Sequence, residues 1–250
     1  RKSGSSMTRL LPGERIDDLQ RSSLHIIQNP EKFCFGMDAV LLSGFVRVKH
    51  KERVTDLCSG SGIIPLLLSA KTRAGSITAV EIQQDMADMA ERSVELNGLE
   101  ERIRVICADL RDGRSAGRSG TQDVVTCNPP YMAAGEGIPN PESAVAIARH
   151  ELCCTLEDVV RESARLLRNG GRVSFVYRPH RLAELMTLLR SYGLAPKRMK
   201  LVYPYVDREA NMVLLEASKG GGSFLKVEAP IIVFREPGVY TDEIREIYGY

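Results

Sequence analysis

Short apolar runs bounded by polar or glycine-containing stretches recur along this chain, and between them lie longer segments with apolar residues three and four apart. Residues 53–57, 76–81, 102–107, 123–127, 172–177, 198–203 and 211–216 are rich in Val, Ile and Thr and predict seven strands. The helical spacing predicts helices over 39–45, 63–70, 84–97, from Thr155 to about Arg168, and over 181–192. Asp38 reads as the N-cap of the first, Gly98 as the stop after the third, and Asn169-Gly170-Gly171 as the stop after the fourth. Glu157 and Asp158 fall in the first turn behind Thr155, where a capping box and the helix dipole favour acids.

Strands alternating with helices at this spacing imply an α/β fold, a seven-stranded, mostly parallel sheet with helices on both faces. Residues 10–28 suggest a short turn-helix and then a short strand, 111–122 a surface loop, and 132–141 a mobile, glycine- and proline-containing loop. The tail beyond Lys219-Gly220-Gly221-Gly222 has no clear period. Arg1 to Ser6, ahead of Met7, read as a cloning remnant, leaving one domain over 7–250 with a short N-terminal extension over about 7–32.

Composition narrows the class without naming a function. The chain has 250 residues, 43% hydrophobic and 26% charged, which suits one well-buried core and excludes disordered or fibrous classes. With 34 Lys and Arg against 32 Asp and Glu, a nucleic-acid contact would have to come from a local basic patch. Cys34, Cys58, Cys107, Cys127, Cys153 and Cys154 contain no C-x-x-C pair and read as reduced, mostly buried thiols of a cytoplasmic protein. There is no apolar run long enough to span a membrane and no signal-peptide pattern. His25, His50, His150 and His180 show no metal-ligand spacing and read as surface or RNA-proximal residues, so no metal is expected.

Open parallel sheets bind ligands outside the carboxyl ends of their strands, near the point where strand order reverses. That rule puts Gly60, Glu81, Asp109 and Asn128 on one rim, because each lies at or just past a predicted strand end. Glycines in Cys58-Ser59-Gly60-Ser61-Gly62 let backbone approach a ligand closely, and Glu81, 25 residues beyond Asp56, stands where nucleoside sites place a ribose-binding carboxylate. NAD, ATP and S-adenosylmethionine all suit such a turn. The turn lacks both the P-loop pattern and the G-x-G-x-x-G spacing, which favours the cofactor without a pyrophosphate, S-adenosylmethionine.

Asn128-Pro129-Pro130-Tyr131 then points to the acceptor. An NH2 group conjugated to a ring is a poor nucleophile because its lone pair is delocalised. The Asn128 side-chain oxygen and the Pro129 carbonyl can each take one N–H and so turn the lone pair out, while Pro holds that carbonyl at fixed φ. Tyr131 is placed to stack on the ring. Methyl transfer from a sulfonium depends mainly on positioning, so the lack of an acid–base dyad is consistent.

The stretches 28–45, 56–65, Val125 to Tyr131, Ala146 to Glu151 and Thr155 to Asp158 resemble the bacterial tRNA (adenine-N6)-methyltransferases that act on adenine-37 of a valine tRNA. The resemblance runs from about Asp17 to the end and implies a Rossmann-like class I methyltransferase with S-adenosylmethionine as cofactor and tRNA as partner. It implies that Gly60 and Gly62 lie against the cofactor, Glu81 holds its ribose, Asp109 is near its adenine and Asp38 faces its methionine end. The full cofactor-binding set is Asp38, Asp56, Cys58, Gly60, Gly62, Glu81, Ile82, Asp109, Leu110 and Asn128; the catalytic set is Asn128, Pro129, Pro130 and Tyr131. Cys58 departs from the family pattern, where many relatives carry Gly.

For RNA, Arg149, His150, Arg178, Arg181, Lys197 and Arg198 are candidate contacts, as are His180, Lys200, Arg111, Arg114 and Arg118. Release-factor glutamine and ribosomal-RNA guanine N2 are rival acceptors for the same tetrad. The glutamine enzymes carry a helical domain ahead of the rim, and only about thirty residues precede Phe33 here. A non-catalytic RNA-binding protein of the same fold is the remaining alternative, against which the intact tetrad argues.

Overall fold

The structure is a computed structural model that describes residues 8–32, 35–114, 116–129 and 154–250. In chain order the strands are β1 Arg15–Asp18, β2 His25–Gln28, β3 Arg53–Leu57, β4 Ser76–Glu81, β5 Ile103–Cys107, β6 Gln122–Cys127, β7 Leu167–Tyr177, β8 Leu194–Tyr203, β9 Met212–Lys219, β10 Lys226–Val227, β11 Ile231–Ile232, β12 Phe234–Glu236 and β13 Val239–Tyr240. The helices are α1 Met37–Phe45, α2 Ile63–Lys71, α3 Gln84–Leu96, α4 Leu156–Leu166, α5 Leu182–Ser191 and α6 Asp242–Tyr248.

Among the described residues the central sheet runs β10-β8-β9-β7-β6-β3-β4-β5, with β11 also paired to β8. The seven long strands are the seven expected; the two-residue strands β10 and β11 extend the edge from the tail that the sequence left without assignment. Only β9 runs against the rest. Chain order moves from β3 through β4 to β5 on one side and from β6 to β7 on the other, so the reversal lies between β3 and β6.

Period-two alternation sends neighbouring residues of one strand to opposite faces. Val54 and Val124 join the layer with α1 and α2, whereas Leu57 and Val125 join the layer with α4 and α5. Strands covered on both faces carry consecutive buried residues, as in Val54–Leu57 of β3 and Val124–Cys127 of β6.

Several assignments differ from expectation. Residues 10–28 form an antiparallel hairpin, β1 against β2, instead of a turn-helix followed by a strand. The outer edge of β2 is held by α3, whose Ser93 hydroxyl accepts from Ile27 N at 2.8 Å and whose Asn97 side chain bonds both His25 N and His25 O. Asp38 is inside the first turn of α1 and Gly36 is the cap, without a side-chain cap bond. The fourth helix ends at Leu166, and Leu167 starts β7 at once because both leucines are fully buried and Leu167 pairs with Gln122. Residues 168–171 bulge out of the strand, and Gly171 is required there: a Cβ would stand 2.9 Å from Arg168 O and 3.1 Å from Asp123 O. The start of α4 follows the sequence, since Thr155 and Asp158 form a capping box worth about 1 kcal/mol.

The tail folds back over the α1 layer. β12 and β13 form a hairpin and α6 packs on α1, with Ile244 fully buried.

Candidate active site

The site is built at the carboxyl ends of β3, β4 and β6. Leaving β3, the chain turns through Cys58 (φ +56°), Gly60 (φ +57°) and Gly62 (φ +89°) before α2 begins. Three left-handed residues in five make a turn tight enough to point backbone outward. Gly62 has a second reason to lack a side chain, since a Cβ there would sit 3.1 Å from the Ala90 Cβ of α3. Cys58 holds its conformation without being glycine, at a cost of about 1–2 kcal/mol.

Two buried carboxylates order this turn. Asp56, fully buried at the end of β3, accepts from the Ser59 hydroxyl at 2.6 Å and from the Thr126 hydroxyl of β6 at 2.7 Å. It therefore ties the glycine turn to the strand that delivers Asn128. Burial pushes its pKa up to about 7 against the pull of those two hydroxyls, with the neighbouring Glu81 adding to the rise. Asp56 thus lies beneath the turn as its support, with each oxygen engaged by a hydroxyl. Glu81 accepts Gly60 N at 2.7 Å on one oxygen and Gln83 N at 3.0 Å on the other. Each oxygen keeps a lone pair.

A narrow slot opens between these groups, lined by Cys58, Val80, Glu81, Ile82, Ala108, Leu110 and Cys154. Apolar walls with one carboxylate suit an adenosine: Ile82 and Leu110 for the base, Glu81 for the ribose hydroxyls. The chemistry of these residues matches the nucleoside of S-adenosylmethionine, while the slot itself encloses only about 20 Å³. Asp109 is next to the slot, but its carboxylate is gripped by Arg111 through Nε at 2.9 and 3.0 Å and Nη2 at 2.6 Å, which holds its pKa down. Asp38 is near the C-terminal helix, where its charge is one of several influences raising the Tyr248 phenol to about 12; burial is the largest.

Asn128 is half-buried and Pro129 buried at the end of β6. Pro130, Tyr131, Arg149 and His150 lie outside the described residues. Beyond β6, a cavity of about 760 Å³ extends between α4 and α5, with Tyr177, Arg181, Thr155 and Glu157 on its walls. The Arg181 guanidinium lies 5.3 Å over the Tyr177 ring and pairs with Glu184 at 2.9 and 3.0 Å. Because Cys127 pairs with Phe175, Tyr177 ends the strand beside the Asn128 loop, on the acceptor side of the slot. Neither Tyr177 nor Cys154 was a sequence candidate; a strand-end aromatic and an interhelical thiol carry no local signal.

The cysteines are less scattered than their sequence positions suggest. Cys58 and Cys154 approach to 3.8 Å between sulfurs, and a hydrogen bond with Cys127, then burial, pushes the Cys58 thiol well up. Among the described residues no group of three His, Cys, Asp or Glu side chains is placed to hold a metal ion, and no helix is long and apolar enough to cross a membrane.

The basic candidates separate. Arg178, at the rim end of β7, donates to Asn211 O at 3.1 Å, and Arg181 stands at the acceptor-side cavity. Lys197 of β8 donates to Gly222 O and Phe224 O in the segment after β9. Arg198 is only 6% exposed: its guanidinium lies 3.8 Å over the Phe45 ring, bonds Phe45 O, and faces Glu216 at 3.5 Å and Glu228 at 3.3 Å. It pins α1 to the sheet, so the residue expected at an RNA surface is a buried side chain engaged with Phe45 and two carboxylates.

A profile of the methyltransferase small domain family matches residues 36–194. A tRNA1(Val) (adenine(37)-N6)-methyltransferase of Aeromonas hydrophila is 30% identical over 208 residues, 83% of this chain and 85% of that protein. One of the same name from Haemophilus influenzae is 26% identical over 89% of this chain and 93% of its own length. A solved structure described as a predicted O-methyltransferase of Agrobacterium tumefaciens aligns with a TM-score of 0.67 at 27% identity, covering 85% of this chain and 95% of that one.

Proposed function

The chain belongs to the methyltransferase small domain family, and from that premise we propose that it transfers the methyl group of S-adenosylmethionine to the exocyclic N6 of adenine-37 in a valine tRNA. The observation that carries this reading is the convergence of the Gly60–Glu81 slot and the Asn128-Pro129 loop at the sheet's reversal, joined through Asp56.

When bound, the cofactor supplies an electrophilic methyl on a good leaving group. The protein's own work is positional. Glu81 would accept the ribose hydroxyls with its remaining lone pairs, while its bonds from Gly60 N and Gln83 N keep the glycine turn in place. Asn128 Oδ1 and the Pro129 carbonyl each accept one N–H of the adenine amino group, which turns the nitrogen lone pair toward the methyl. The rigid φ of Pro129 keeps that acceptor from drifting. Holding the reacting atoms in line in this way can contribute several kcal/mol of barrier reduction, on the order of 7–11 at best.

Labelled S-adenosylmethionine offered with unmodified tRNA, ribosomal RNA and release factor tests the acceptor. Label in N6-methyladenosine at position 37 supports the proposal. Label confined to protein or to ribosomal RNA overturns it.

A further inference from the structure

A second concave site lies outside the slot, between the β1–β2 turn, the outer faces of α1 and α2, and α6. It encloses about 190 Å³. Its floor is apolar, formed by Val40, Ile63 and Leu67, and its walls bring in Arg21, Lys71, Tyr248 and Tyr250. Ile63 opens α2 at the rim and Lys71 closes it, so the groove starts beside the glycine turn and runs about 12 Å down the helix.

Among the described residues neither cation forms an ion pair, although the Asp18 carboxylate borders the groove and the Asp38 charge reaches Tyr248. Lys71 Nζ donates to the Ser43 hydroxyl at 2.7 Å and to Val40 O at 3.4 Å, leaving one N–H. No carboxylate pairs with it among the described residues; burial, with Arg21 nearby, pulls its pKa down to about 8. Arg21 Nη1 donates to Ile247 O at 3.3 Å. Asp18 also borders the groove, and one of its oxygens is taken by Gln20 N. A buried ammonium beside a guanidinium favours an anion in the groove.

The turn that carries Arg21 is strained. Gln20, Ser22 and Ser23 all have φ between +52° and +57°, a conformation costly for residues with a Cβ and usual where function fixes the backbone. On the opposite wall, rings stack in a column: Tyr205 on Phe234 at 5.4 Å, Phe234 on Tyr240 at 5.2 Å, Tyr240 on Tyr248 at 6.1 Å and Tyr248 on Tyr250 at 5.9 Å. Tyr250, stacked on Tyr248, is 60% exposed. An exposed aromatic face beside two cations is a surface on which a base can stack.

We propose that this groove is a nucleotide subsite for the RNA substrate, taking an unpaired base against Tyr250 and its adjoining phosphate against Lys71 and Arg21. The assignment rests on the tRNA reading above. Stacking and phosphate pairing together recognise a single-stranded nucleotide without reading its identity.

The test is tRNA affinity by fluorescence anisotropy over about 50–200 mM salt for wild type, Tyr250→Ala, Lys71→Met and Lys71→Arg, with cofactor affinity and thermal melting measured on each. Tyr250→Ala weakens tRNA binding about tenfold. Lys71→Met lowers the slope of log affinity on log salt by about 1, and Lys71→Arg restores it. Cofactor affinity is unchanged in all four proteins. Wild-type tRNA affinity and slope in both Tyr250→Ala and Lys71→Met overturn the subsite while leaving the methyltransferase reading intact. If uridine monophosphate alone saturates the groove and tRNA binding is insensitive to the variants, the RNA assignment is overturned. A wild type that neither binds nor methylates tRNA overturns the tRNA reading itself.

Discussion

Replacing Asp56 by Asn tests the buried support of the site through its pH dependence. Asp56 is fully buried and its pKa stands at about 7, raised from 3.8 chiefly by burial. Below pH 3.8 the carboxyl is protonated folded and unfolded alike and contributes no pH dependence. Between the two values the unfolded chain releases the proton while the folded chain keeps it, so stability falls as pH rises through this window and levels off above about 7. At about 1.36 kcal/mol per pH unit the full loss is about 4 kcal/mol. Asparagine keeps the shape, accepts from one of the Ser59 and Thr126 hydroxyls and donates to the other, and does not titrate. Urea unfolding of wild type and Asp56→Asn at intervals from pH 4.5 to 8 should therefore show the variant gaining on wild type by roughly 3 kcal/mol or more as pH rises. Parallel curves would mean that Asp56 is ionised at neutral pH in the fold, and the reasoning about its burial would fail.

Two other substitutions probe separate parts of the account. Gly62→Ala combines a φ of +89° with a Cβ 3.1 Å from Ala90 Cβ; we expect a loss of about 2 kcal/mol or more by denaturant unfolding and weaker cofactor binding by calorimetry. A wild-type melting curve would show that the turn tolerates a side chain. Arg198→Met removes the cation between Glu216 and Glu228 and should destabilise by about 3–5 kcal/mol, while the salt slope of tRNA binding stays at the wild-type value in the folded fraction. A reduced slope with unchanged stability would return Arg198 to the RNA surface.

Much of the fold and part of the site were legible because their signals are local. The apolar runs of β3, β4 and β6 announce largely buried strands, and Gly60, Glu81 and Asn128 share a rim because each follows or ends such a run. What was missed depends on distant contacts or on backbone that residue types do not reveal. The β1–β2 turn uses Gln20, Ser22 and Ser23 in left-handed conformations without glycine or proline, so nothing marked a hairpin. Arg198 looked like surface charge until Phe45, 153 positions away, covered it. Asp56 looked like a ligand because it stands in the motif, yet Thr126 of β6 takes its outer oxygen. The aromatic column joins Tyr205 to rings in the tail, a stretch with no period to read.

The central claim is that Asn128 orients an amino group for methyl transfer beside an independently built cofactor slot. Wild type and Asn128→Ala should be compared for S-adenosylmethionine affinity by calorimetry and for methylation of unmodified tRNA, with the modified nucleoside mapped by mass spectrometry. The account predicts near-equal cofactor affinity, N6-methyladenosine at position 37 with wild type, and turnover in the variant reduced by about two orders of magnitude or more, as for loss of an interaction made to the reacting group. Wild-type turnover in Asn128→Ala would contradict it.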